Sequence, residues 1–330
     1  MSTPALRWDG RRLHVLDQTA LPFAERELAL TGADEVAAAI ARLAVRGAPL
    51  IGIAAGYGLA MAAAAGDDLE RAAAVLREAR PTAANLAWAV DRVHAAAGAG
   101  GPAAARAEAE RIHAEEDAAS AAIAAAGAEV LRGASTVLTH CNAGALAAGG
   151  QGSALAVILA LPGVRVLATE TRPLLQGARL TAWELRRAGI PHELVVDGAA
   201  AGLIARGEVD AVVTGCDRVA ANGDVANKVG TYGIALAARA AQIPFVVAGP
   251  TSSIDLDTPS GEEIVIEERS GDEVRHAGGA PVALPDTPVR NPAFDVTPAA
   301  LVSALVSERG VARPVTAATV RALLDTPGAR

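Results

Sequence analysis

The chain has 330 residues, 52% of them hydrophobic and 20% charged, which is enough apolar material for one large or two ordinary domains and excludes a disordered or fibrous protein. Its formal charge is −8, and no cluster of Lys and Arg makes a footprint for a phosphate backbone, so no nucleic-acid partner is expected. Two cysteines, Cys141 and Cys216, are too few for a disulfide framework and fit a reducing, cytoplasmic setting.

The opening MSTPALRWDGRRLHVLDQ is polar and carries no apolar core of a secretory signal. Within it, RWDGRRLHVLD predicts a short hairpin turning at Asp9 and Gly10. From about residue 34 to 130 the chain reads as successive helices: ADEVAAAIARLAVRG, LIGIAAGYGLAMAAAA, DDLERAAAVLREAR, TAANLAWAVDRVHAAA and a long Ala/Glu segment. Gly and Pro separate them, as in RGAP at 46–49, RPT at 80–82 and GAGGP at 98–102. Two uncharged stretches, 48–66 and 143–164, approach the length that crosses a bilayer. The first is mostly Ala and Gly, and the second is interrupted by Gly149, Gly150 and Pro162, so both are expected to be buried segments and no membrane partner is expected.

After Gly133 the texture changes to short β-branched runs alternating with helical patterns. The runs are STVLTH (135–140), VRVLATE (164–170), HELVVD (192–197), DAVVTGC (210–216) and PFVVAG (244–249). Apolar strands spaced by helices indicate βαβ units and a parallel sheet covered on both faces. The expected class is therefore α/β: a mainly helical N-terminal domain with its short hairpin over 1–133, and a Rossmann-like, doubly wound parallel-sheet domain over 134–330. No G-x-G-x-x-G follows the first strand, so no dinucleotide is inferred.

Ligands of open parallel sheets sit beyond the carboxyl ends of the strands. Four runs deliver polar groups there: Cys141 and Asn142, Thr171 and Arg172, Asp217 and Arg218, Thr251 and Ser252. A lone cysteine is usually a small buried hydrophobe, but Cys141 directly follows a strand and precedes a loop that could lower a thiol pKa. His140 is not expected to act with it as a dyad, because consecutive strand residues face opposite ways. By the same alternation Cys216 is expected to pack and Asp217 to stand at the rim. Lys228 is the only lysine in the chain. It follows the Asn222–Gly223 turn and is expected at the start of the next helix, where a compact ammonium serves a phosphate in a space too tight for arginine. Arg46-Gly47-Ala48 and Arg80 supply guanidinium groups beside closely approachable backbone.

Taken together, VRGAPLIGIAAGYG, RPTAANLAWAVDR, THCNAGALA, ETRPLLQGARLTAWEL, TGCDRVAANGDVANKVGTYG, AGPTSSIDL, EERSGDEV and NPAFDVTPAALVSA closely resemble the methylthioribose-1-phosphate isomerase family. They run in that family's order from about Trp8 to Gly310. The wider family includes ribose-1,5-bisphosphate isomerase and the regulatory subunits of translation initiation factor 2B, the latter generally lacking the cysteine and aspartate pair. The resemblance implies Cys141 and Asp217 as the catalytic pair, and Arg46, Gly47, Ala48, Arg80, Gln176, Asn227 and Lys228 as the substrate-binding set. It also implies a homodimer and a small sugar phosphate as partner. Leu174 stands where an aromatic is usual, and Cys216 puts a second thiol near the pair.

The implied substrate, 5-methylthioribose 1-phosphate, carries an ester on C1 and has no free aldehyde, so the ring must open before C2 can lose its hydrogen. Asp217, held protonated by a closed apolar pocket, is expected to donate to the ring oxygen while Cys141 handles the hydrogen at C2. The two roles are interchangeable on sequence, as are proton and hydride transfer. No metal or other cofactor is expected. The rival readings are an isomerase of ribose 1,5-bisphosphate or 5-deoxyribose 1-phosphate, and a noncatalytic regulatory subunit.

Overall fold

The computed structural model describes residues 4–80 and 84–325 of a mixed α/β chain. Two compact units divide it: the first comprises Met1–Ser120 and Gly144–Gly152, the second Ala121–Ala143 and Ser153–Arg330.

In the first unit, the expected hairpin forms from β1 (Leu6–Trp8) and β2 (Leu13–Leu16), with Leu6 opposite Val15. Its turn is built by Asp9, whose Oδ1 accepts the N–H groups of Arg11 (2.8 Å) and Arg12 (2.7 Å), the local bonding that suits Asp to turns. A third strand, β3 (Glu27–Leu30), pairs antiparallel with β2; its four residues ELAL are too short to announce a period. The helices are α1 (Ala33–Ala41), α2 (Ala48–Ala65), α3 (Leu69–Glu78) and α4 (Ala84–Val130). Asp68 caps α3 by accepting the Arg71 N–H. The long α4 is interrupted where GAGGP predicts, at Gly100 (φ −143°) and Gly101 (φ 67°), just before Pro102. The apolar α2 is long enough to cross a membrane, but 78% of it is buried, as befits a core helix. A one-turn helix, α5 (Ala145–Ala148), also belongs to this unit.

The second unit takes the end of α4, because Ile123 and Leu131 are buried with sheet residues such as Val137, Val166 and Val246. Compactness therefore divides the chain elsewhere than the change of texture near residue 133. The unit's strands are β4 (Thr136–Thr139), β5 (Arg165–Thr169), β6 (His192–Val195), β7 (Ala211–Thr214), β8 (Arg218–Ala220), β9 (Val225–Lys228) and β10 (Phe245–Ala248). Further along come β11 (Ile254–Asp255), β12 (His276–Ala277), β13 (Ala280–Pro281), β14 (Phe294–Thr297), β15 (Ala304–Ser307) and β16 (Gly310–Ala312). Its helices are α6 (Ala154–Leu159), α7 (Ala182–Arg187), α8 (Ala200–Ala205), α9 (Thr231–Ala240), α10 (Asp272–Arg275) and α11 (Ala317–Asp325).

All five apolar runs read from the sequence enter one seven-stranded sheet of order β16-β15-β10-β7-β4-β5-β6. Only the β15–β16 pair is antiparallel; the other pairs are parallel. β7, β10 and β15 are buried at every residue, as strands covered on both faces must be, whereas β6 lies at an edge with exposed positions. A smaller sheet, β11-β8-β9-β14, gathers the segments after β7 and β10. It corrects one expectation: Lys228 is the last residue of β9, and the following helix α9 starts only at Thr231, beyond a left-handed Gly230 (φ 108°). The strand is four residues with one polar pair, VANK, and Asn222–Gly223 turns β8 back onto it rather than leading into a helix.

Candidate active site

Parallel pairing places the carboxyl ends of β10, β7, β4 and β5 side by side on one edge of the large sheet. Neighbouring strands lie about 4.8 Å apart, so the residues just beyond β4 and β7 share a small space. Cys141 comes after β4, and Asp217 after β7.

Cys141 is half-buried and adopts a left-handed backbone, φ 64°, which is uncommon outside glycine and persists only where its surroundings enforce it. They do so from both sides. Its N–H donates to Thr171 Oγ1 (2.9 Å), and its carbonyl accepts the Thr181 hydroxyl (2.6 Å). Thr181 Oγ1 is in turn 3.1 Å from Asn142 Nδ2, which also donates to Glu184 Oε1 at 2.7 Å.

The segment after β5 supplies these partners. Asp197, just beyond β6, accepts the backbone N–H groups of Thr171 (2.8 Å) and Arg172 (2.7 Å), fixing the turn. Gly177 opens the π-helical turn Gly177–Thr181 that leads into α7. A Cβ there would sit 1.7 Å from the Thr169 carbonyl oxygen, so only glycine lets the turn close onto β5. Between them sits Gln176, which is buried, and among the described residues its Oε1 has no hydrogen-bond partner. A buried acceptor left unpaired costs about 1–3 kcal/mol, so this Oε1 stands out, since most buried polar atoms have a partner.

His140 is buried and both ring nitrogens are engaged: Nδ1 lies 2.6 Å from Thr169 Oγ1 and Nε2 2.9 Å from the Val229 carbonyl oxygen. A carbonyl only accepts, so Nε2 carries the proton and Nδ1 of the neutral ring accepts from Thr169. Burial pushes this histidine below its usual pKa, against the opposing pull of the Val229 carbonyl. It is not a base for Cys141, in keeping with the alternation along β4.

Lys228 is half-buried; its ammonium donates to the Ala293 carbonyl (2.7 Å) and lies 4.5 Å from the centre of the Phe294 ring. Phe294 is its partner across the β9–β14 ladder. Asn227 is buried and donates to Thr231 Oγ1 (3.0 Å), which donates back to the Lys228 carbonyl (2.6 Å). Asp295 accepts the N–H groups of Gly230 (2.7 Å) and Tyr232 (3.1 Å), fastening the start of α9; burial raises its pKa despite those bonds.

Asp217 donates its N–H to the Ala226 carbonyl (2.9 Å), which ties it to β9 beside Asn227. Its side chain is exposed, which corrects the expectation of a closed apolar pocket: the carboxylate lies beyond the strand end, where β7 no longer covers it. Cys216 turns inward as alternation requires. Burial, and then the Asp217 charge, push its thiol up to about 12, so it stays protonated at neutral pH. Neither cysteine is in a disulfide. Two other polar groups at this edge are structural: Arg172 donates to the Pro173, Val274 and His276 carbonyls, and Arg218 pairs with Asp255 at 2.8 Å.

The remaining candidates belong to the first unit. Arg46 is half-buried and donates through Nε to Gln18 Oε1 (3.1 Å), while Gln18 donates to the Leu146 carbonyl (2.6 Å). Gly47 has φ 93°, and a Cβ there would lie 2.2 Å from the Ala147 carbonyl oxygen, so glycine is required on both counts. Ala48 begins α2. Arg80 is half-buried; Pro81 and Thr82 of the RPT motif lie outside the described residues. Sequence reasoning misses Thr181, Asp197 and Asp295, and places Thr171 at the rim without its role in holding Cys141. Asp197 ends a run that reads only as a strand, and Asp295 stands inside NPAFDVTPAALVSA, a signature to which the sequence alone attaches no role.

The fold and this edge define a mixed α/β protein with a thiol and a carboxylate following adjacent parallel strands, and an ammonium at the end of β9 in the smaller sheet. A family model described as the initiation factor 2 subunit family matches residues 44–314. A methylthioribose-1-phosphate isomerase of Anaeromyxobacter sp. (strain K) is 55% identical over 329 residues, covering 97% of this chain and 96% of the relative. One from Synechococcus sp. (strain CC9605) is 49% identical over 94% of each. Among solved structures, 5-methylthioribose 1-phosphate isomerase from Pyrococcus horikoshii OT3 superposes with a TM-score of 0.94 at 38% identity, over 99% of this chain and 97% of that one. The structure described as translation initiation factor eIF-2B, subunit delta, from A. fulgidus superposes with a TM-score of 0.87 at 37% identity, over 98% and 100%. The chain belongs to the initiation factor 2 subunit family, and within it to the methylthioribose-1-phosphate isomerases.

Proposed function

We propose that this protein is the isomerase that converts 5-methylthioribose 1-phosphate to 5-methylthioribulose 1-phosphate, a step of methionine salvage. The observation that supports the reading most is the position of Cys141 shortly after β4 and of Asp217 shortly after its parallel neighbour β7, within a chain more than half identical to an enzyme of that name over nearly its whole length. In the reaction the ring oxygen gains a proton as its bond to C1 breaks, the C2 hydroxyl becomes a carbonyl by losing its proton, and the C2 hydrogen ends on C1. One of Cys141 and Asp217 donates a proton to the ring oxygen, the other handles the hydrogen at C2, and the proton lost by the C2 hydroxyl replaces the one spent on the ring oxygen. The enforced left-handed turn at Cys141 supports such a role, because strain of this kind gathers at reactive positions.

Ala226, next to Asn227, accepts the Asp217 N–H, and Val229, next to Lys228, accepts from His140, the residue before Cys141, which supports Asn227 and Lys228 as substrate ligands; Gln176 Oε1, without a partner among the described residues, suits a sugar hydroxyl. Arg46, Gly47, Ala48 and Arg80 join the substrate-binding set on the resemblance of their motifs. The second unit is read as a Rossmann-like, doubly wound domain on its run of parallel strands with intervening helices. Two cysteines outside any disulfide support a cytoplasmic location, and the homodimer follows from the family resemblance. Purified protein given 5-methylthioribose 1-phosphate should produce a new ketose carbonyl by 13C NMR. A folded protein yielding none, while converting ribose 1,5-bisphosphate or 5-deoxyribose 1-phosphate, would reassign the substrate; inertness on all three would favour the noncatalytic reading.

A further inference from the structure

The chain of contacts around His140 reaches both halves of the site. From its Nε2 a proton is donated to the Val229 carbonyl, one residue after Lys228. Its ring packs on Gly230, where a Cβ would lie 3.0 Å from Cε1 and 3.1 Å from Nε2. On the other side Nδ1 takes the Thr169 hydroxyl, and Thr169 Oγ1 is 3.3 Å from Thr171 Oγ1, the acceptor of the Cys141 N–H. His140 is also bonded directly to Cys141 through the chain.

We propose that His140, neutral and protonated on Nε2, is a positioning residue that sets the Cys141 turn and the Lys228 end of β9 in register with one another. A neutral ring has one donor and one acceptor, and both are used by partners whose polarity allows only this arrangement. Such a link between two groups of one site is worth more than its bonds, because an error of about 1 Å in a reacting group costs on the order of 100-fold in rate.

The kinetic arm of the test rests on the isomerase reading; the thiol arm needs no substrate, so the two can fail separately. His140→Phe keeps a ring and removes both bonds. His140→Gln keeps an N–H able to reach the Val229 carbonyl. Both are made in a Cys216→Ala background, so that iodoacetamide reports Cys141 alone. His140→Phe should change the Cys141 alkylation rate at least 3-fold, lower kcat at least 10-fold and raise KM. His140→Gln should recover most of the KM loss, since it restores the Lys228 side of the link. Thr169→Val, which deletes only the Nδ1 partner, should alter alkylation and kcat while leaving KM near wild type, and it decides the matter if His140→Phe does not fold. The proposal is overturned if folded His140→Phe matches the parent in alkylation and kinetics. It is equally overturned if Phe and Gln lower activity alike with alkylation and KM unmoved, which is the pattern of a merely structural side chain.

Discussion

Replacing Asp197 by alanine removes the acceptor of two backbone N–H groups, Thr171 at 2.8 Å and Arg172 at 2.7 Å. Hydrogen bonds to a charged group contribute about 1.5–3 kcal/mol each. Asp197 is only half-buried, so water replaces part of what is lost, and the pair together is worth about 2–4 kcal/mol. For a unit of this size, about 2–4 °C of Tm goes with each kcal/mol, giving a fall of roughly 5–15 °C. Asp197→Asn retains one carbonyl acceptor and should fall about half as far. Thermal melts followed by circular dichroism measure both. The consequence extends to the site, because the Thr171 hydroxyl accepts the Cys141 N–H: kcat of Asp197→Ala below its melting range should drop on the order of 10-fold. An Asp197→Ala protein melting within about 1 °C of wild type with unchanged kcat would refute the idea that this carboxylate fixes the turn.

Lys228→Arg should keep the melting temperature while lowering kcat/KM about 10–100-fold, since the planar guanidinium cannot occupy the ammonium's place between the Ala293 carbonyl and the Phe294 ring; steady-state kinetics on the folded variant read this. With the Cys216 thiol pushed up to about 12, iodoacetamide at pH 8 should modify Cys141 and spare Cys216, as peptide mass spectrometry would show. The buried His140 has its folded-state pKa lowered below the usual 6.5, so the native state binds fewer protons than the unfolded chain in that window. Its contribution to stability is whole above pH 6.5 and is lost as the pH falls from there toward the folded pKa. Desolvation dominates, with the Val229 carbonyl and Asp197 pulling up and Lys228 pushing down. Urea midpoints from pH 8 to pH 5 should therefore fall more steeply for wild type than for His140→Gln.

The parts of the fold that the sequence announces are those with a strong local signal. The buried strands β4, β5, β7 and β10 are continuous apolar runs, and the α4 break is written in two glycines and a proline. The smaller sheet is not announced: RVA, VANK and FDVT are three or four residues long, and what makes them strands is pairing with partners as far off as Lys228 and Phe294. That pairing also explains why Lys228 reads as a helix start and is a strand end. At the site, Cys141 and Asp217 are legible because they come close after apolar strands. The Thr171, Thr181 and Asp197 contacts are not, since they depend on side chains about 25 to 40 residues apart meeting across a turn. The exposure of Asp217 is equally invisible in the sequence, because how far a side chain stands beyond a sheet edge depends on the elements that cover it.

The most direct test of the account is the turnover of 5-methylthioribose 1-phosphate by wild type, Cys141→Ser and Asp217→Asn, prepared together and shown to melt alike. Ketose formation by wild type, reduced at least about 1,000-fold in each variant, is the predicted result, in line with the loss on removing a group that acts directly in bond making. Wild-type rates in either folded variant would contradict the assignment of the chemistry to this pair.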